Sequence, residues 1–278
     1  MPKFSEMLGA RWHNNETLVC VGLDPLPDRF PTSIRASPDP ILSFNKAIVD
    51  ATSDLVCAYK PQIAHYSALG AEDELVRTIA YIHDEYPGIP VILDAKRGDV
   101  GSTATQYARE AFERYRADAV TVNPWLGYDA VRPFLRYTGK GVVVLCRTSN
   151  ASAADIQDLV VDGRPVYIHV AEQVAAKWNA EGNCLLVVGA TRPEPLAEVR
   201  QIAGDIPFLV PGIGAQGGDV GAVVRNGITS DGAGLVINSS RAILYADDTQ
   251  TFAESARKAT QSLRDVINEQ RELWRQSR

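Results

Sequence analysis

The sequence predicts a closed (β/α)8 barrel, and three observations carry that prediction. Short apolar runs rich in Val, Ile and Leu alternate with longer segments of helical period along the chain, the pattern of a parallel sheet wrapped by helices. Eight such alternations are present, and each apolar run gives way on its C-terminal side to polar residues, Gly or Pro. A chain of 278 residues is near the ~250 typical of one such barrel. One domain spanning residues 1–278, with an N-terminal helix, is therefore expected.

Taken in order, residues 1–14 read as a short amphipathic helix with Phe4, Met7, Leu8 and Trp12 on its apolar side. The strands are expected at 18–23, 55–59, 90–93, 119–122, 141–145, 184–188, 207–210 and 234–237. Helices are expected between and after them at 40–53, 71–86, 103–116, 128–137, 166–181, 193–203, 219–226 and 252–274. In the last of these, Phe252, Ala256, Ala259, Leu263 and Val266 recur at three- and four-residue steps, a stripe suited to lying on a barrel. The two long irregular connections are 25–39 and 148–164; the second lies beside the strand ends and is assigned to closure over a ligand.

Composition excludes several classes. The hydrophobic fraction of 45% and charged fraction of 22% are those of an ordinary globular protein. With 34 acidic against 28 basic residues the net charge is −6, and no basic block offers a face to nucleic acid. No apolar run approaches the ~20 residues that span a bilayer. Residues 1–14 lack the charged-then-apolar layout of an export leader, so a cytoplasmic location is expected. Cys20, Cys57, Cys146 and Cys184 are far apart in apolar stretches, as reduced core thiols are, and the four histidines show no paired ligand spacing. No metal site is expected.

In a barrel the C-terminal strand ends share one rim, where the active sites of this fold sit. Here they carry Asp24, Lys60, Asp94 with Lys96, Asn123, Arg147 with Ser149, Gly189 with Thr191, Pro211 with Gly212, and Asn238 with Ser239. Strand ends are often polar because the chain is leaving the core, but that alone does not account for two lysines and two carboxylates there, with a third carboxylate, Asp99, just beyond. The densest segment is Asp94-Ala95-Lys96-Arg97-Gly98-Asp99. Side chains two apart on a strand share a face, so Asp94 and Lys96 should both point at the barrel mouth, with Lys60 arriving from the neighbouring strand. Alternating charges of this kind keep the lysines protonated and the carboxylates ionised. A glycine-dense loop follows strand seven (residues 210–218), and Arg241 opens a short helix after strand eight. Barrels hold phosphate between these two loops, and the arginine fork suits it.

These segments together resemble the orotidine 5′-phosphate decarboxylase family, in its longer subgroup. The resemblance rests on Val21-Gly22-Leu23-Asp24-Pro25, Tyr59-Lys60-Pro61-Gln62, the Asp94 to Asp99 segment with Thr103, Asn123-Pro124-Trp125-Leu126-Gly127, Arg147-Thr148-Ser149-Asn150 and the glycine loop ending in Gln216. It implies a cofactor-free decarboxylase of orotidine 5′-phosphate that works as a homodimer. It further implies Lys60, Asp94, Lys96 and Asp99 as a catalytic tetrad, Lys96 as proton donor to C6 of the pyrimidine, and Asp99 and Thr103 as residues reaching into the partner subunit's site. Asp24 and Lys60 would hold ribose hydroxyls, Ser149 the pyrimidine, and Gln216, Ser240 and Arg241 the 5′-phosphate. Ser240 stands where many members have Gly, and it still offers a backbone N–H. Two other readings remain open: a metal-dependent sugar-phosphate decarboxylase or aldolase of the same suprafamily, and a non-catalytic nucleotide-binding barrel.

Overall fold

The computed structural model describes residues 2–191, 193–213 and 218–277. Among them, eight parallel strands form one sheet: β1 (Val19–Leu23), β2 (Ala58–Pro61), β3 (Ile92–Arg97), β4 (Ala119–Val122), β5 (Gly141–Arg147), β6 (Cys184–Val188), β7 (Phe208–Val210) and β8 (Leu235–Ser239). The order runs β2-β1-β8-β7-β6-β5-β4-β3, and parallel bridges Tyr59 to Val91 and Gln62 to Asp94 join the two ends. The ring is closed, and β1 lies beside β8 with Cys20 opposite Asn238.

The strands are buried on both faces, which is why they read as continuous apolar runs. Their outer faces are covered by helices that include Pro40–Thr52, Glu72–Glu85, Tyr128–Leu135, Pro193–Ala203 and Val220–Gly227. The expected helices at 103–116 and 166–181 each begin as an α-helix and finish in a wider turn, at Glu110–Arg114 and Val174–Trp178. Phe252–Gln276 buries Phe252, Ala256, Thr260 and Ile267 against the barrel.

Phe4–Asn14 packs at the N-terminal end of the barrel. Phe4, Leu8 and Trp12 are buried there, each stabilising by about 2 kcal/mol on transfer from water, while Met7 stays partly exposed. The Phe4 amide donates to the Gly139 carbonyl at 2.9 Å. Gly141, the first residue of β5, is a glycine for a local reason, since a Cβ there would sit 2.6 Å from the Phe4 ring.

Two strands extend further toward the rim than their apolar residues suggest. β2 ends on Lys60 and Pro61, and β3 continues through Asp94, Ala95, Lys96 and Arg97. Connection 148–164 also holds more structure than expected: a helical turn at Ala151–Asp155, then an antiparallel pair, Val160–Val161 with Arg164–Pro165, around Asp162 and Gly163, both with positive φ. All four cysteines are buried and unpaired. No described helix is long and apolar enough to cross a membrane.

Candidate active site

Lys60 and Asp94 face each other across the seam where β2 meets β3. Lys60 Nζ donates to Asp94 Oδ2 at 3.0 Å, and Lys96 Nζ donates to Asp94 Oδ1 at 2.7 Å. The Lys60 and Asp94 side chains are buried, whereas that of Lys96 is 46% exposed. Burial alone would push the Asp94 carboxyl up, but Lys60 and then Lys96 outweigh it and hold the group well below the usual carboxylate range. Burial would likewise draw Lys60 toward the neutral amine, and Asp94 and then Asp24 reverse that, keeping its pKa above the ordinary lysine value. Lys60 and Asp94 are thus held as cation and anion, and Lys96 Nζ lies against the second oxygen of the same carboxylate.

Asp94 and Lys96 come together through a device that spacing alone does not reveal. The register of β3 on β4 shifts between Leu93 and Arg97, and Lys96 has a φ of +46°, uncommon for a residue with a Cβ. The backbone N–H groups of Ala95 and Lys96 donate to Thr121 Oγ1 at 2.9 and 2.8 Å. Thr121 in turn donates its hydroxyl proton to Asp94 Oδ1 at 2.8 Å.

This chain of charges borders a cavity of about 550 Å³, within the ~300–1,000 Å³ of small-molecule sites. Asp24, Ser149, Ser240 and Arg241 also line it, so these expected site residues meet Lys60, Asp94 and Lys96 in one space. Gly22 makes room on the β1 side: a Cβ there would collide with the Ser240 hydroxyl. Asp24 Oδ1 and Asn238 Oδ1 are buried acceptors with no hydrogen-bond partner among the described residues. Buried acceptors in that state call for a donor from a ligand or solvent. Tyr245 ties the segment after β8 to the segment after β1, donating to the Asp24 carbonyl at 3.1 Å and accepting from the Leu26 amide at 2.6 Å.

The far wall is the segment after β5. Arg147, buried, forms a two-point pair with Asp158 at 2.7 and 3.0 Å, and the Thr148 amide donates to Gln157 Oε1 at 2.8 Å. These contacts fasten both ends of the turn that carries Ser149 and Asn150. Gly189 lets that turn lie on β6, because a Cβ there would be 2.8 Å from the Ser149 backbone.

Asp99 and Thr103 stand outside this cavity. Asp99 accepts from the Val100 amide at 2.7 Å, and Thr103 is exposed. Val100, next to Asp99 in the chain, is exposed, as are Trp125, Leu126 and Tyr128 in the segment after β4. Gln216 lies outside the described residues. Thr121, Gln157 and Asn238 line the cavity although the rim reading gave them no role. Thr121 carried one legible signal, a lone hydroxyl within the apolar run of β4.

Comparison with known proteins shows what the chain is similar to. The model of the family described as Orotidine 5′-phosphate decarboxylase / HUMPS matches residues 17–256. An orotidine 5′-phosphate decarboxylase of Ralstonia pickettii (strain 12J) is 58% identical over 267 residues, covering 96% of this chain and 98% of that protein. Among solved structures, the OMP decarboxylase of Leishmania donovani superposes with a TM-score of 0.84 at 39% identity, over 97% of this chain and 98% of that one. The Leishmania donovani UMP synthase gives a TM-score of 0.87 at 41% identity over 98% of this chain, which spans 57% of that longer protein.

Proposed function

The chain belongs to the orotidine 5′-phosphate decarboxylase family, and from that premise we propose that it converts orotidine 5′-phosphate to uridine 5′-phosphate and CO2, with Lys96 protonating C6. The observation that carries the reading is the Lys60–Asp94–Lys96 chain at the wall of the cavity. When the bond from C6 to the carboxylate breaks, its electron pair stays on C6 and CO2 departs. The carbanion has little delocalisation, so catalysis must stabilise negative charge at C6 more than it stabilises the substrate carboxylate. The Lys96 ammonium supplies both a fixed positive charge and the proton that forms the new C6–H bond, and the resulting amine regains a proton from solvent. Asp94 beside the leaving carboxylate disfavours the ground state. No cofactor enters these steps.

Asp24 and Lys60 hold ribose hydroxyls in this reading, the orphaned Asp24 acceptor being the supporting feature. Ser149 contacts the pyrimidine, and Ser240 and Arg241, with Gln216, hold the 5′-phosphate, whose binding energy is available to order the site. Asp99 and Thr103 act in the partner's cavity of a homodimer. Exposed Val100, Trp125, Leu126 and Tyr128 are apolar surface that such an interface would cover. The enzyme works in the cytoplasm.

The test is the ultraviolet absorbance change of orotidine 5′-phosphate with purified protein, with and without a chelator. Turnover unaffected by the chelator supports the proposal. Loss of turnover on chelation would favour the metal-dependent relatives, and no turnover in either arm would leave a nucleotide-binding barrel.

A further inference from the structure

We infer that Thr121 is a positioning residue for the decarboxylation, the group that fixes where the Lys96 ammonium stands relative to Asp94; the inference rests on the proposed function. Thr121 is buried, with relative exposure of 1%, and its single oxygen engages three partners at once. It accepts from the Ala95 and Lys96 amides and donates to Asp94 Oδ1. A hydroxyl has one proton and two lone pairs, so its whole capacity is used on the β3 bulge.

Each bond does separate work. Because both amides converge on one oxygen, the backbone at Ala95 and Lys96 is bent out of regular pairing with β4, where Leu93 pairs with Val120 and the next aligned pair is Arg97 with Val122. That bend is what gives Lys96 its left-handed backbone. Positive φ at a lysine is strained and persists only where its surroundings over-determine it, and the two bonds to Thr121 are the surroundings that do so. The third bond holds the carboxylate oxygen that Lys96 Nζ also uses, at 2.7 Å. One side chain on β4 therefore sets both the ammonium and its counter-ion, without touching the C6 carbon. A reacting group displaced by about 1 Å loses on the order of 10²-fold in rate.

The experiment compares wild type, T121S and T121V in the same decarboxylation assay, together with binding of the product uridine 5′-phosphate and thermal melting. Valine keeps the shape and removes the hydroxyl. T121V should lose roughly 10²-fold in kcat while its KM and its affinity for the product change less than about threefold, and T121S should restore most of the lost kcat. A general loosening of the site would weaken product binding as well, and a hydroxyl-independent packing role would leave T121S no better than T121V; either outcome overturns the inference. So does wild-type kcat in T121V. If T121V does not fold, T121S decides alone: hydroxyl retained and methyl lost must leave most of kcat in place. A wild-type protein with no turnover defeats the proposed function itself, and this inference with it. Wild-type turnover with an unimpaired T121V defeats only the inference.

Discussion

The barrel contains two buried carboxylates of almost the same construction, at opposite ends. Asp94 lies toward the C-terminal end of β3 and accepts from Lys60, Lys96 and the Thr121 hydroxyl. Asp118 immediately precedes β4 at the other end and accepts from Lys140 at 3.2 Å, His83 at 2.8 Å and the Val91 amide at 3.0 Å. Both are held below the usual carboxylate range, in each case because neighbouring donors and positive charge outweigh the effect of burial. Charge clustering and a shifted pKa therefore do not by themselves separate the carboxylate proposed as catalytic from the other. What separates them is unfilled space, since a left-handed residue, Arg116, and an orphaned ring nitrogen, His83 Nδ1, lie beside Asp118 as well. Asp94 borders the 550 Å³ cavity. Asp118 instead joins the start of β4 to the helix Glu72–Glu85 and to Lys140 just before β5.

The sharpest way to break this contrast is Lys96→Ala. The side chain is half-exposed, and its removal leaves Asp94 paired with Lys60, so the melting temperature should shift by only a few degrees. Turnover should fall by ~10⁴-fold or more, since in the proposed function one group supplies both the proton and the stabilising charge. Near-normal turnover in that variant would remove the proton-donor role and make the two ends of the barrel equivalent.

A second experiment asks whether the rim is complete within one chain. Lys96→Ala and Asp99→Ala should each be nearly inactive alone. If Asp99 serves the partner's cavity, a mixed dimer has one site with both lesions and one with neither. Random reassembly makes about half the dimers mixed, so recovery should approach about a quarter of wild-type activity per site. No recovery in a mixture shown to exchange subunits would confine Asp99 to its own barrel.

How much of this was legible beforehand follows the same division. The strand order and the ring were readable because parallel strands buried on both faces are continuous apolar runs. Strand ends were misplaced where function intrudes: Lys60 and Pro61 belong to β2, and Asp94 to Arg97 belong to β3, yet apolarity ends before them. That charged residues cluster at the rim was legible. The β3 bulge was not, because it is imposed by Thr121, which is 25 residues from Lys96 and on another strand. Nor was the fastening of the Ser149 turn by Arg147 and Asp158, because Arg147 read only as a strand-end residue and Asp158 as part of an irregular connection. The pair of short strands around Asp162-Gly163 did have a local signal, since Asp-Gly favours a two-residue hairpin turn.

The smallest expected effect on activity, and the one that completes the comparison, comes from Asp118→Asn. Asparagine keeps the shape and can still accept one hydrogen bond, but it no longer offers charge to Lys140 or His83. Lys140 reaches solvent, its side chain being 24% exposed, so the lost interaction should cost about 2 kcal/mol rather than the larger penalty of a stranded buried charge. The loss depends on pH with a definite sign. Because folding lowers the Asp118 pKa, its ionised form contributes stability above the unfolded value of about 3.9, and that contribution disappears as pH falls through the lower folded value. Denaturant melts of wild type and D118N should therefore differ most at neutral pH, begin to converge near pH 4 and meet only below the folded value. Over the same range kcat and KM of D118N at neutral pH should stay within about twofold of wild type, because the substitution lies at the end of the barrel away from the cavity. A large fall in kcat with unchanged stability would show that the two carboxylates communicate through β4, on which Thr121 also lies.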